Sequence, residues 1–112
     1  MPEIVEGVSF DTVAREWRMK WSADNDKASL AAAQALITKH LAALKALDGV
    51  KEVKRVVCGG CLDFKVITAL DAGAFGAWEG AEFAPEKEFL EEAAKIEGIT
   101  TVETQTYTFM SL

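Results

Sequence analysis

Apolar and polar residues alternate along the first well-defined segment of the chain, from Thr12 to Trp21. Val13, Trp17, Met19 and Trp21 share one parity, whereas Glu16, Arg18 and Lys20 share the other. Because successive side chains of a strand point to opposite faces, this alternation predicts a strand with one apolar face.

Two later segments carry the period of a helix. Residues 27–48 are rich in Ala, Leu, Lys and Gln, and their apolar stripe consists of Leu30, Ala33, Ile37, Leu41 and Leu44, with His40 at its edge. Gly49 follows at the position where a left-handed residue ends a helix. A second helix is predicted to begin at Pro85 and to end before Gly98.

Three further strands are predicted from residue type. The segments 50–58 and 62–70 are rich in β-branched and aromatic residues, and the pair Gly59-Gly60 between them predicts a tight two-residue hairpin. The threonine-rich tail 100–112 alternates and predicts the last strand. Residues 71–83 contain three glycines, so this segment is expected to be irregular or briefly helical.

The order of these elements predicts an α+β fold, a ferredoxin-like βαββαβ sandwich. Two helices cover one face of a four-stranded antiparallel sheet whose first and third strands are central. With 112 residues, the chain is expected to form one domain, 1–112. The open sheet face would carry Glu16, Arg18, Lys20, Asp63, Lys65, Ile67, Glu103, Gln105, Tyr107 and Phe109. Such a mixed face either meets water or packs on a second copy, and we expect a homodimer.

Composition and charge narrow the classes of function. Half of the residues are apolar and 27% are charged, which excludes a disordered chain. The net charge of -6 would repel a phosphate backbone, so no nucleic-acid partner is expected. The start of the sequence lacks the basic and apolar stretches of a secretory signal, and no run approaches about 18 apolar residues. We therefore expect no membrane partner and a cytoplasmic protein, with an organelle stroma as the alternative.

The segment Gly49–Val66, followed by Phe89-Leu90 and residues 96–106, resembles the dimeric α+β-barrel superfamily. The Gly-Val, glycine-turn, Asp-Phe and Ile-x-Gly-Ile spacing is similar to the ligand-binding domain of leucine-responsive and asparagine-type transcription regulators. Phe83-Ala-Pro-Glu86 instead resembles stress-responsive barrel proteins. The resemblance implies a homodimer with face-to-face sheets and small ligands held between sheet and helices or at subunit boundaries.

The sequence also departs from both branches. No helix-turn-helix precedes the domain, so the DNA-reading half of the regulators is not carried over. The histidine that serves the stress-responsive cyclases has no counterpart in residues 83–89, so their acid–base mechanism is not carried over either.

Aromatic residues of the predicted inner face indicate a candidate ligand pocket. The proposed ligand contacts are Arg15, Trp17, Trp21, His40, Phe64 and Trp78. Apolar pockets with a few placed polar groups have this composition, and His40 is the single imidazole for acid–base work. The alternative is that the rings form plain core and that His40 packs at the helix stripe. The sequence assigns no catalytic residue, no cofactor and no metal.

Arg15 shares its parity with the apolar residues of the first strand. Because an unpartnered guanidinium is costly to bury, its side chain must reach solvent, meet an acid or point into a polar cavity. The acids of the second helix, Glu86, Glu88, Glu91, Glu92 and Glu97, alternate with lysines and are interpreted as a solvated face.

Cys58 and Cys61 have the spacing of redox pairs and of half a zinc site. They flank a predicted turn rather than a helix N-terminus, and the chain supplies only two thiols. We interpret them as small apolar residues beside the turn.

Three functions are consistent with these patterns. The first is a homodimer that binds a small, largely apolar molecule between the first strand, the first helix and residues 75–85. The second is a cofactor-independent cyclase, isomerase or monooxygenase that uses His40, Arg15 or Tyr107. The third is a protein-interaction module without a pocket. A cavity shared by His40 and Arg15 would favour the second, and a filled core would favour the third.

Overall fold

The structure, a computed structural model, describes residues 1–112 as six strands and three helices. In chain order they are β1 (Glu3–Val5), β2 (Val8–Ser9), β3 (Thr12–Lys20), α1 (Asp24–Lys45), β4 (Val50–Val57), β5 (Asp63–Asp71), α2 (Ala72–Gly80), α3 (Glu86–Ala94) and β6 (Thr100–Phe109). The four long strands form an antiparallel sheet of order β4–β5–β3–β6. The predicted ferredoxin-like sandwich with β3 and β5 at its centre is confirmed.

The strand register assigns each side chain to one of two sheet faces. Trp17 lies opposite Val66 of β5 and Thr104 of β6, so these three side chains face the helices. Glu16 lies opposite Ile67 and therefore faces the open side. The hydrophobic core lies on the helix side and consists of Trp17, Met19, Trp21, Ala33, Leu36, Ile37, Leu44, Phe64, Val66, Leu70, Phe75, Trp78, Phe89, Ala93 and Ile99.

A third helix, α2, occupies the segment whose state the sequence left open. Phe75 and Trp78 leave only 6% and 4% of their surface exposed, and their ring centroids lie 5.9 Å apart in an edge-on contact. Burying two large aromatic side chains outweighs the helix-propensity cost of about 1 kcal/mol for each glycine. Tertiary packing therefore decides the state of this segment.

The first turn of α1 is not right-handed. Asn25, Asp26 and Lys27 have φ values of 54°, 55° and 63°, so the regular helix begins after them. This start agrees with the predicted one at Lys27, and Asn and Asp adopt such φ values more readily than most residues. None of the helices combines the length and apolar character that a bilayer crossing requires.

The connection between β4 and β5 is longer than the predicted two-residue turn. The non-strand residues are 58–62, and the residue with positive φ is Leu62 rather than either glycine. A disulfide joins Cys58 to Cys61 across this connection. The interpretation of the two cysteines as merely small apolar residues is therefore wrong. Their spacing in the sequence did not reveal that the turn brings both sulfurs together.

A short N-terminal hairpin, β1–β2, was not predicted. Gly7 forms its turn with a φ of 84°. Its apolar side chains Ile4, Val5 and Val8 remain 68%, 61% and 50% exposed, so the hairpin adds nothing to the core of this chain.

Two glycine substitutions, one in the α1–β4 connection and a control in α2, test how tightly that connection packs. Gly49 has a φ of 75°, and a Cβ there would overlap Ala74 Cβ, so Gly49→Ala should lower the free energy of unfolding by about 2 to 3 kcal/mol. Gly76 lies in α2 with no atom within 4 Å of the position a Cβ would take, so Gly76→Ala should raise it by about 0.5 to 1 kcal/mol. Urea unfolding followed by circular dichroism distinguishes the two, and equal effects would contradict the packing described.

Candidate functional site

Arg15 meets an acid, which is one of the three outcomes open to it. Its Nε and Nη2 donate to the two carboxylate oxygens of Glu86 at 2.7 and 3.2 Å. Its other donors reach the hydroxyls of Thr106 at 2.9 Å and Thr104 at 3.1 Å, and the guanidinium carbon lies 4.1 Å from the centroid of the Phe83 ring. The charge is thereby satisfied without a ligand.

Glu86 also anchors the indole of Trp17. Trp17 Nε1 donates to Glu86 Oε1 at 2.8 Å, and the indole stacks on Phe89 with ring centroids 4.7 Å apart. The Glu86 side chain is only 14% exposed, so its assignment to a solvated helix face is wrong. The sequence signal for this contact was the position of Glu86 at the start of α3, the second predicted helix, where a carboxylate can turn back toward the sheet.

His40 is packed on the other side of Phe89. It is 7% exposed, contacts the Phe89 ring edge-on at 5.9 Å, and places Nε2 3.3 Å from Glu92 Oε1. Hydrogen bonds from Lys39 and then from His40 hold the pKa of Glu92 below its usual value.

The remaining aromatic candidates are buried and make hydrogen bonds within the chain. Trp78 Nε1 donates to the Ala84 carbonyl at 2.9 Å, and Trp21 Nε1 donates to the Asp63 carbonyl at 3.2 Å. Both belong to the same buried core as Trp17, and Trp78 also lines a small apolar opening of about 180 Å³ together with Leu70 and Ala77. Ligand contact by Arg15, Trp17, Trp21, His40 and Trp78 stays a prediction.

An open cleft of about 430 Å³ lies elsewhere, between the N-terminal half of α1 and the β4–β5 hairpin. Its apolar walls come from Leu30, Ala31, Val57 and Phe64, and its polar side carries Gln34 and Arg55. Arg55 Nη1 donates to Gln34 Oε1 at 2.6 Å. Of the sequence candidates, only Phe64 lines this cleft. Arg55 and Val57 are two residues apart on β4 and so share a sheet face, and this spacing was the sequence signal that could have indicated them as cleft residues.

The open sheet face carries a second buried polar pair. Glu16 is 5% exposed, and Tyr107 donates its hydroxyl to Glu16 Oε1 at 3.1 Å. Desolvation, followed by the charge of Glu16, raises the pKa of Tyr107 to about 12. The phenol is therefore a protonated donor at neutral pH and not a base.

Most charges of the open face, Lys65 excepted, find partners within one chain. Arg18 lies 3.5 Å from Glu16 and 3.6 Å from Glu103, and Lys20 pairs with Asp63. The hydrogen bond from Lys20 is the largest cause of a lowered pKa at Asp63. A dimer through this face does not need partner charges to neutralise these groups.

Comparison with known proteins gives structural matches only. No protein-family model and no curated protein matches the sequence. A monooxygenase from the gene ActVA-Orf6 of Streptomyces coelicolor, in complex with the ligand nanaomycin D, is 12% identical over 92% of this chain and 90% of that one, with a TM-score of 0.67. The cofactor-independent oxygenase SnoaB from Streptomyces nogalater is 17% identical over 91% and 96%, with a TM-score of 0.59. Rv0793 from Mycobacterium tuberculosis is 14% identical over 90% and 97%, with a TM-score of 0.61.

These identities establish the fold alone. The chain shares the ferredoxin-like α+β fold of these three proteins, which agrees with the fold that the sequence resemblance implied.

The hydrogen bonds of Glu86 generate a stability test. Glu86→Ala leaves the guanidinium of Arg15 buried without its carboxylate, so the free energy of unfolding should fall by about 2 to 3 kcal/mol. Glu88→Ala, at an exposed position of the same helix, should change it by less than about 0.5 kcal/mol. Chemical unfolding measures both, and a Glu86 variant as stable as the Glu88 variant would show that the cluster does not hold α3 to the sheet.

Proposed function

We propose that this chain is a homodimeric domain that binds a small, largely apolar molecule in the cleft between α1 and β4. The observation that carries the proposal is the cleft itself, because its volume of about 430 Å³ lies within the range of about 300 to 1,000 Å³ typical of small-molecule sites. The opening beside α2 that Trp78 lines is smaller, about 180 Å³. We therefore place the proposed site at the β4–β5 hairpin, where Phe64 is the one residue that it shares with the candidates predicted from the sequence.

The polar side of the cleft favours a molecule with an acceptor or anionic oxygen. Arg55 uses one of its donors on Gln34, and a guanidinium has five. Lys27 lies at the same rim and adds a positive charge, and the neighbouring Asp26 adds a negative one. An aromatic or aliphatic ring system that carries a carboxylate, sulfonate or phenolic oxygen fits this combination of apolar wall and cationic edge.

The homodimer rests on the open sheet face. No helix of the chain covers this face, which exposes Phe109 by 39% and Val56 by 37% beside the half-buried Tyr107 and Ile67. A second copy packed on it would remove these groups from water, and a standard interface of about 1,600 Å² is stable at micromolar concentration.

Cofactor-independent oxygenation is the second candidate. It is favoured by the fold shared with SnoaB and with the monooxygenase from Streptomyces coelicolor. Oxygen uptake with a panel of polycyclic phenols, reduced when the cleft is blocked, would extend the proposal from binding to catalysis.

Two neighbouring valines test the cleft. Val57 lines it, whereas Val56 points to the opposite sheet face, and the two are exposed to a similar degree, 40% and 37%. Anilinonaphthalene sulfonate, an aromatic anion whose fluorescence rises in apolar surroundings, is the probe. Val57→Asp should weaken its binding at least about tenfold, since a carboxylate in the wall repels the sulfonate and wets the site. Val56→Asp should not weaken binding, and an equal loss of affinity in both variants would reject this cleft.

The same two variants test the dimer with the opposite outcome. Light scattering of the wild type should give about twice the chain mass of 12.2 kDa at micromolar concentration. Val56→Asp should shift the population toward monomer, because it places two carboxylates in an apolar contact, and Val57→Asp should not. A wild type that remains monomeric would reject the homodimer. The ligand cleft would then depend only on the result of the fluorescent-probe titration.

A further inference from the structure

The connection that carries the disulfide is open to solvent. Cys61 is exposed and Cys58 is half-buried. Gly59 and Gly60 have no atom within 4 Å of where a side chain would begin, so nothing crowds the connection from the side. A small molecule can reach the sulfur of Cys61 without any movement of the core.

The two sulfurs have different surroundings. The backbone N–H of Cys61 donates to Cys58 Sγ at 3.0 Å, and such a bond stabilises negative charge on Cys58. Cys61 Sγ lies 3.4 Å from Asp63 Oδ2, a carboxylate that Lys20 keeps ionised. A thiolate would be repelled at Cys61 and stabilised at Cys58. Cys58 is therefore the better leaving group and Cys61 the accessible point of attack.

We propose that the Cys58–Cys61 bridge is a thiol–disulfide exchange site for small monothiols. The thiolate of a monothiol attacks Cys61 Sγ, the Cys58–Cys61 bond breaks, and Cys58 leaves as a thiolate and takes up a proton. A second monothiol attacks the sulfur of the first, releasing Cys61 as a thiol and one small disulfide. Two electrons and two protons pass from two monothiols to the protein, and a small disulfide reverses the reaction.

Three hydrogen bonds that do not involve the disulfide also hold this connection. Cys58 N–H donates to the Asp63 carbonyl at 3.0 Å, Trp21 N–H donates to the Leu62 carbonyl at 2.9 Å, and Lys20 Nζ donates to the Cys61 carbonyl at 2.9 Å. These bonds hold the connection to β3 when the disulfide opens. Exchange is therefore expected to be reversible in the folded protein.

The test equilibrates purified protein with mixtures of reduced and oxidised glutathione and measures each species by intact mass after alkylation. The wild type should interconvert between disulfide and dithiol while its circular dichroism stays native. In the wild type, alkylation in the presence of reduced glutathione should trap the mixed disulfide with glutathione on Cys61 and the alkyl group on Cys58, as peptide mapping would show. The double variant with both cysteines changed to serine should fold and take no adduct.

Other outcomes would overturn the proposal. Glutathione found equally on Cys58 and Cys61 would remove the asymmetry on which it stands. Reduction of the wild type only under conditions that unfold it would make the bridge structural. Stoichiometric zinc in the reduced wild type, lost in the double variant, would assign the thiolates to a metal instead. Because none of these readouts involves the ligand cleft, the result is independent of the proposed binding function.

Discussion

The carboxylate of Glu86 is the contact on which the rest of the interior depends. It accepts from the guanidinium of Arg15 and the indole of Trp17, two polar groups that the parity of β3 points into an apolar layer. Each would be costly to bury alone, and a single acid at the start of α3 satisfies both. Phe89, one turn further along α3, then stacks on Trp17 and closes the layer.

This arrangement determines where empty space can exist. Trp17 stacks on Phe89 and Phe75 packs on Phe83, so aromatic contacts dominate the layer between β3, α3 and residues 75–85. The edge strand β4 has no buried residue, and the helix that packs on it is α1, whose first turn is left-handed. An open cleft of about 430 Å³ lies at this edge, between α1 and the hairpin.

Much of the fold could be predicted from the sequence, because strands and helices leave patterns among residues that are close together along the chain. The alternation in β3 and the stripe of α1 follow from periodicity, and Gly49 has the positive φ expected of a residue that follows a helix. The partner of Arg15 could not be predicted, because Glu86 lies 71 residues away and has the same composition context as the exposed acids beside it. α2 was uncertain for a related reason, since its glycines argue against a helix and only the burial of Phe75 and Trp78 decides for one. The cleft and the disulfide both depend on the backbone conformation of the β4–β5 connection, which the spacing of residues in the sequence does not specify.

The two regions with unused chemistry meet at that hairpin. Val57 and Phe64 line the cleft, and the bridged connection begins at the residue after Val57 and ends just before Asp63. At the opposite end of the sheet, the polar groups of the interior are already paired with one another through Glu86. A ligand there would have to displace a carboxylate held by three donors, whereas a ligand at the hairpin would meet an apolar wall and a guanidinium with donors to spare. This difference in unsatisfied hydrogen-bonding capacity supports the proposed ligand site at the β4–β5 end of the molecule.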